Sequence, residues 1–182
     1  MSADEAHDRA LLDFLADVGA DTVRHNLNED LLPHLIGTRD LLRSWGARGA
    51  LCDAGLFHSV YGTEYFATET LSVGRRDDVR EVIGEAAEAI VWLWCFGVRL
   101  TLRENLARSE GLRMRDRRTA EWLPISASQF EDLVNLWIAD TLEQLPRVPE
   151  REVATARTLL EYQDRALPLA RAELQGVLAR VD

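Results

Sequence analysis

Lysine is absent from the 182-residue chain, and all 21 of its basic residues are arginine. That absence excludes Schiff-base chemistry, a lysine general base and the lysine of a phosphate-binding loop. Cysteine is scarce. Cys52 and Cys95 stand singly in apolar helical surroundings, form no closely spaced pair, and read as reduced core residues rather than as a disulfide framework. Long hydrophobic runs are missing as well. The longest, Ala86 to Val98, is interrupted by Glu88 and is too short to span a bilayer. The first five residues, Met1-Ser2-Ala3-Asp4-Glu5, are polar and acidic, unlike a secretory leader, so a cytoplasmic location is expected.

Positive charge is in deficit. The formal net charge is −10, which repels a phosphate backbone overall. The one basic stretch runs from Arg108 to Arg118. It lacks the interleaved aromatic residues of a nucleic-acid surface and reads as a solvated face. The expected partner is therefore a small-molecule substrate, with no nucleic acid and no membrane, and a homodimer is compatible with the sequence. The length suits one domain with a real core, residues 1–182.

The pattern that remains is helical nearly throughout. Leu11, Leu12, Leu15 and Val18 share a face of a helix over Asp4 to Val18, which Gly19 stops. Asp30 and Pro33 open a second helix, and Gly46 ends it after Trp45. A third runs from Arg48 to Val60, where the small residues Ala54 and Gly55 allow a neighbouring helix to come close. A loop, Tyr61 to Arg76, follows. Asp77 to Ile83 reads as a short helix that Gly84 separates from Glu85 to Phe96, and Leu100 to Ser109 as a further helical stretch. Leu112 to Arg115 and Thr119 to Ile125 alternate around a charged turn and are compatible with one small β-hairpin. Ser126-Ala127-Ser128-Gln129 is a capping box opening an apolar helix, Phe130 to Leu145. Pro146 and Pro149 break the chain before two last helices, Glu150 to Arg165 and Pro168 to Arg180.

Histidine is the rarity that points to function. There are four, His7, His25, His34 and His58, and three of them fall between residues 25 and 58. His34 and His58 sit inside apolar helical runs, where a titratable ring is unfavourable without a partner. A short turn at Gly46 to Gly49 makes their helices antiparallel neighbours, which brings the two imidazoles together in a helical bundle. Two imidazoles with a carboxylate from another helix suit a divalent metal. Both histidines also have a purely structural reading as neutral interior rings bonded to each other or to Thr38, Ser59 or Tyr61.

The wording His34-Leu35-Ile36-Gly37-Thr38, followed by Ala54-Gly55-Leu56-Phe57-His58-Ser59-Val60-Tyr61-Gly62-Thr63-Glu64-Tyr65-Phe66, resembles the first half of an HD-type domain. It is similar to an uncharacterised bacterial and plant family of HD-like proteins. The HD superfamily comprises helical metal-dependent phosphohydrolases together with some iron-dependent oxygenases. The resemblance implies an all-α, HD-like helical bundle. Under it His34 takes the place of the first histidine, His58 the second, and Asp140 in Ile138-Ala139-Asp140 the late aspartate. Ser59 departs from the pattern, because it stands where an HD domain has a metal-ligating aspartate, and serine is a poor ligand. No histidine follows His58, so a dinuclear site of the oxygenase kind is not expected.

What remains is a mononuclear set, His34, His58 and Asp140, suited to one divalent ion: iron, manganese or zinc. Tyr61 and Glu64 join His34 and His58 as candidate catalytic residues, and Glu64 and His25 are candidate fourth ligands or proton-transfer groups. Trp92, Trp94 and Trp137 read as core, and Glu85 and Glu88 as exposed charges, with Glu88 close enough to apolar neighbours to face a pocket. Two readings follow. One is an HD-like small-molecule enzyme, metal-dependent, of hydrolase or oxygenase type. The other needs no metal: the same fold binds a small molecule, or uses His34 and His58 as an acid–base pair of isomerase, lyase or cyclase type.

Overall fold

A computed structural model describes residues 2–25 and 29–181. It is mostly helical, with a small three-stranded antiparallel sheet. The first helix, α1 (Ala3–Asp17), is opened by a capping box in which Ser2 and Glu5 satisfy each other's backbone N–H. Two short strands, β1 (Arg24–His25) and β2 (Glu29–Asp30), pair antiparallel and deliver the chain to α2 (Leu31–Ser44). His25 is described only through this backbone pairing, so its proposed part in proton transfer or ligation lies outside the described side chains.

Gly46 adopts φ +75° and turns the chain directly from α2 into α3 (Gly49–Phe57). The two helices run antiparallel and unusually close at Gly55. A Cβ there would lie 2.6 Å from Leu42 Cδ1 and 3.4 Å from the Arg39 backbone. That close approach is the role expected for the small pair Ala54–Gly55, and it sets the distance between His34 and His58.

After a loop and a 3-10 turn, α4 (Arg76–Phe96) carries the separation expected at Gly84, whose φ of +80° and ψ of 160° are not helical. The sheet consists of β3 (Gly97–Val98), β4 (Arg113–Asp116) and β5 (Trp122–Pro124) in the order β3-β4-β5. Its β4–β5 pair is the hairpin anticipated near residues 112–125, with Met114 opposite Leu123. The helical stretch between β3 and β4, Arg99–Ala107, is 3-10 rather than α.

The long helix α5 (Ala127–Gln144) is buried along nearly its whole length, and its capping box at Ser126 and Gln129 is complete. α6 (Pro149–Leu159) continues as a 3-10 stretch, Leu160–Arg165, and α7 (Pro168–Val181) ends the described chain. One apolar cluster joins these elements, from Leu11 and Leu15 through Trp94, Phe130 and Leu133 to Leu174 and Leu178. Among the described residues no helix is long and apolar enough to cross a membrane.

Candidate metal centre

Three helices supply one polar cluster inside this apolar interior. His34 lies in the first turns of α2, His58 closes α3, and Asp140 sits in the last third of α5. His34 and His58 are each 1% exposed and Asp140 is 8% exposed. His34 Nε2 lies 3.1 Å from His58 Nε2 and 3.2 Å from Asp140 Oδ1, and His58 Nε2 lies 3.4 Å from the same oxygen.

The outer faces of both rings are fixed. His58 Nδ1 lies 2.7 Å from the Gly55 carbonyl, which can only accept, so Nδ1 carries the proton. His34 Nδ1 is hydrogen-bonded to the Glu143 carboxylate, so it too donates. With both Nδ1 positions protonated, the two Nε2 atoms of neutral rings present lone pairs. Three acceptors, Nε2, Nε2 and Oδ1, therefore converge with no donor among them. Such an arrangement is repulsive unless a cation occupies its centre.

Two cations satisfy it. The first is a proton. Burial alone would lower the His34 pKa, but hydrogen bonds and charge from Asp140 and Glu143 outweigh it and raise it from 6.5 to about 9. His58, fully enclosed, is instead lowered, by burial and by its positive neighbour. Burial opposes the charge on Asp140, yet its bonds to His34 and His58 hold it well below the usual carboxylate range. The second is a metal ion. Ligands about 2.1 Å from an ion stand about 3.4 Å apart in a tetrahedron and about 3.0 Å apart as cis neighbours in an octahedron. The observed edges of 3.1, 3.2 and 3.4 Å fall within that span. The His34–His58–Asp140 group could thus hold a metal ion.

The residues that hold these three in place come mainly from α5. Glu143 lies three positions after Asp140 and so shares its face. It also pairs with Arg147. Gly37 makes room for it, since a Cβ there would lie 2.8 Å from both Glu143 Cγ and Oε1. Gln144, one position further, donates to Asp140 Oδ1 at 2.9 Å. On the far side Arg99 NH1 lies 3.5 Å from Asp140 Oδ2. None of Glu143, Gln144 and Arg99 was singled out from sequence. The spacing Asp140-x-x-Glu143 was the available signal for the first, whereas Arg99 is placed only by the tertiary fold.

A cavity of about 370 Å³ opens beside the cluster, lined by His58, Ser59 and Asp140 on one side and by Arg99, Trp137 and Thr158 around it. The volume is that of a small-molecule site. Ser59 is on this wall and outside the three-atom group. His34, Tyr61 and Glu64 are not among the lining residues. Tyr61 is fully buried, and its hydroxyl lies 3.5 Å from Glu88. Burial pushes that phenol well above its ordinary pKa. Glu64 accepts from the Arg99 backbone N–H at 3.0 Å, which anchors the loop instead of the cluster. Nor is Glu88 an exposed charge, since it is 1% exposed and bonded by Arg76 and Arg80. Trp94 is core as expected, but its ring also meets His58 edge-on at 6.0 Å and carries the Arg99 guanidinium 3.8 Å from its centre.

Residues 14–99 match a family model described as a domain of unknown function, DUF6817. Over that span the chain is similar to this family. The span contains His34 and His58 and ends on Arg99, while Asp140 and Glu143 lie beyond it. No curated protein and no solved structure matches the chain.

Proposed function

We propose that the protein is a mononuclear metal-dependent enzyme acting on a small molecule, with His34, His58 and Asp140 as the ligands. The observation that carries this reading is the convergence of three acceptor atoms whose outer sides are already committed. His34 is oriented by Glu143 and His58 by the Gly55 carbonyl. Metal-ligating histidines characteristically donate their other ring N–H in this way, which fixes the tautomer and raises ligand basicity. The HD-like wording around His34 and His58 supports the same assignment, and Ser59 argues for one ion rather than two.

Two imidazoles and one carboxylate leave positions open, and the wall shared by His58 and Asp140 gives onto the cavity. A divalent ion held there supplies Lewis acidity toward a substrate oxygen and a more acidic bound water. The surrounding residues do the rest. Glu143 and Gln144 keep the ligands in register, Trp137 and Phe66 wall the cavity, and Arg99 balances charge beside Asp140.

The reading is tested by metal content. Protein purified without chelator and loaded with iron(II), manganese(II) or zinc is expected to retain one equivalent and to gain thermal stability from it. Asp140→Ala, His34→Ala and His58→Ala should each abolish retention. Less than about a tenth of an equivalent in the wild type, with no stabilisation by any of the three ions, would sink the reading.

One observation favours a second reading. With His34 protonated and His58 neutral, the two Nε2 atoms stand one hydrogen bond apart. That is an acid–base pair in the ground state and needs no ion. It predicts turnover that survives exhaustive chelation and fails in His58→Gln.

A further inference from the structure

Arg99 is 5% exposed and lines the cavity beside Asp140. Its guanidinium carbon lies 3.8 Å from the Trp94 ring centre and 5.0 Å from that of Tyr65. Those rings hold the fork in position without neutralising it. Its Nε has no hydrogen-bond partner among the described residues. Among the described residues the one carboxylate within ion-pair distance of the guanidinium is Asp140, at 3.5 Å from NH1, through Oδ2, while Glu64, bonded to the Arg99 backbone N–H, acts on it more weakly. The other oxygen of that carboxylate belongs to the three-acceptor cluster.

A buried charge is unfavourable unless it is paired. Without an ion, Asp140 is shared between Arg99 and the histidines. Once an ion takes the charge of Asp140, the guanidinium loses its nearest compensating charge and keeps only the weaker pull of Glu64 at the wall of the cavity. The other cation on that wall, Arg151, already has its partners: Nε donates to Glu152 at 2.5 Å and NH2 to Gln144 at 2.8 Å. The Thr155 and Thr158 hydroxyls donate to backbone carbonyls of their own helix. Arg99 is thus the cation that the cavity leaves for a ligand.

We infer that the molecule this site takes carries an oxyanion, a carboxylate or a phosphoryl group, seated between the ion position and the edge of Arg99. This rests on the metal-dependent reading given above. A planar guanidinium presents parallel donors that match two oxygens of such a group, which an ammonium of equal charge does not. The remainder of the molecule is small, since the cavity holds about 370 Å³, and lies against Trp137 and Phe66. The net charge of −10 makes the preference informative, because the chain as a whole repels anions and only a built site would collect them.

The experiment is a calorimetric titration of inorganic phosphate, and separately of malonate, at fixed ionic strength. Wild type, Arg99→Lys and Arg99→Met are each titrated in manganese-loaded and in chelator-treated form, with bound manganese measured on every sample. The loaded wild type is expected to bind one of the two probes. Arg99→Met should weaken that binding by about tenfold or more when compared at equal bound manganese. Phosphate as the probe that binds identifies a phosphoryl group, and malonate a carboxylate. Binding of neither probe to wild type in either form, or undiminished binding to Arg99→Met, overturns the inference. Protein that retains none of iron(II), manganese(II) and zinc yet binds a probe through Arg99 refutes the metal-dependent reading and retains the oxyanion. Protein that loads manganese and shows no Arg99 dependence does the reverse. Should Arg99→Met fail to fold, Arg99→Lys decides. It keeps the charge and loses the fork, so at least about a threefold loss supports the inference and an unchanged Kd overturns it.

Discussion

Glu143 reaches His34 across 109 residues of sequence and accepts the proton of its Nδ1. This contact commits Nδ1 as a donor, so that Nε2 is the atom of His34 that takes a proton or an ion inside the cluster.

Replacing Glu143 by Gln keeps the shape and removes the charge. Metal affinity is expected to fall by about 10–100-fold, the usual range for a lost outer partner of a ligating histidine. Equilibrium dialysis against manganese or zinc reads this directly, and an unchanged affinity would deny Glu143 its orienting role.

Gly37→Ala asks the same question from the opposite helix. In the interior of α2 an alanine should favour the helix by about 1 kcal/mol. Its methyl would nonetheless collide with the Glu143 side chain. The expected outcome is a protein of near-normal stability in urea with metal affinity reduced in the same sense as Glu143→Gln.

Gly55→Val tests the spacing between α2 and α3. The added side chain meets Leu42 Cδ1 and the Arg39 backbone. Overpacking of this kind destabilises by about 1–3 kcal/mol. Because the same contact sets the His34–His58 distance, metal binding should weaken together with stability, as read by thermal melts with and without ion.

The ion-free protein should lose stability on the alkaline side. The folded His34 pKa, about 9, stands above the unfolded value of 6.5. Its contribution is therefore full below the unfolded value and disappears as pH rises through about 9, with a magnitude of order 3 kcal/mol. Asp140 and Glu143 have lowered values, so their contributions hold above the ordinary carboxylate range and are lost as acid protonates them. Metal affinity should run the other way and rise with pH, since the ion displaces the His34 proton. Urea midpoints of chelator-treated protein across pH 6 to 10 measure the first, and manganese titrations over the same range the second. A flat stability profile would remove the proton from the cluster.

The helices were legible because local rules set them. Gly19, Gly46 and Gly84 all take positive φ where the pattern breaks, and Ser126 with Gln129 caps α5 as its spacing indicates. The hairpin near residue 115 was legible for the same reason, while its third strand, Gly97–Val98, was not, because two residues carry no periodicity. In the site, His34 and His58 stood out as polar residues within apolar runs and Asp140 through the HD-type resemblance, and the structure brings the three together. Tyr61 and Glu64 also stood out, by closeness in sequence to His58, but the backbone turns after His58 and aims them at Glu88 and at the Arg99 amide. Glu143 and Arg99 looked like ordinary charges among 52 acidic and basic residues. Their roles arise from tertiary placement, which no single-chain periodicity encodes.

The two halves of the site rest on different kinds of backbone. His34, His58 and Asp140 are carried by α2, α3 and α5, whereas Arg99 begins the 3-10 stretch that joins β3 to β4 of the small sheet. Insertions or substitutions in that irregular stretch would move the guanidinium while leaving the helices that carry the three acceptor atoms in place. Under the proposed function, descendants of this chain can therefore change what they capture while keeping the proposed metal centre, so selectivity and reactivity are free to evolve at separate rates.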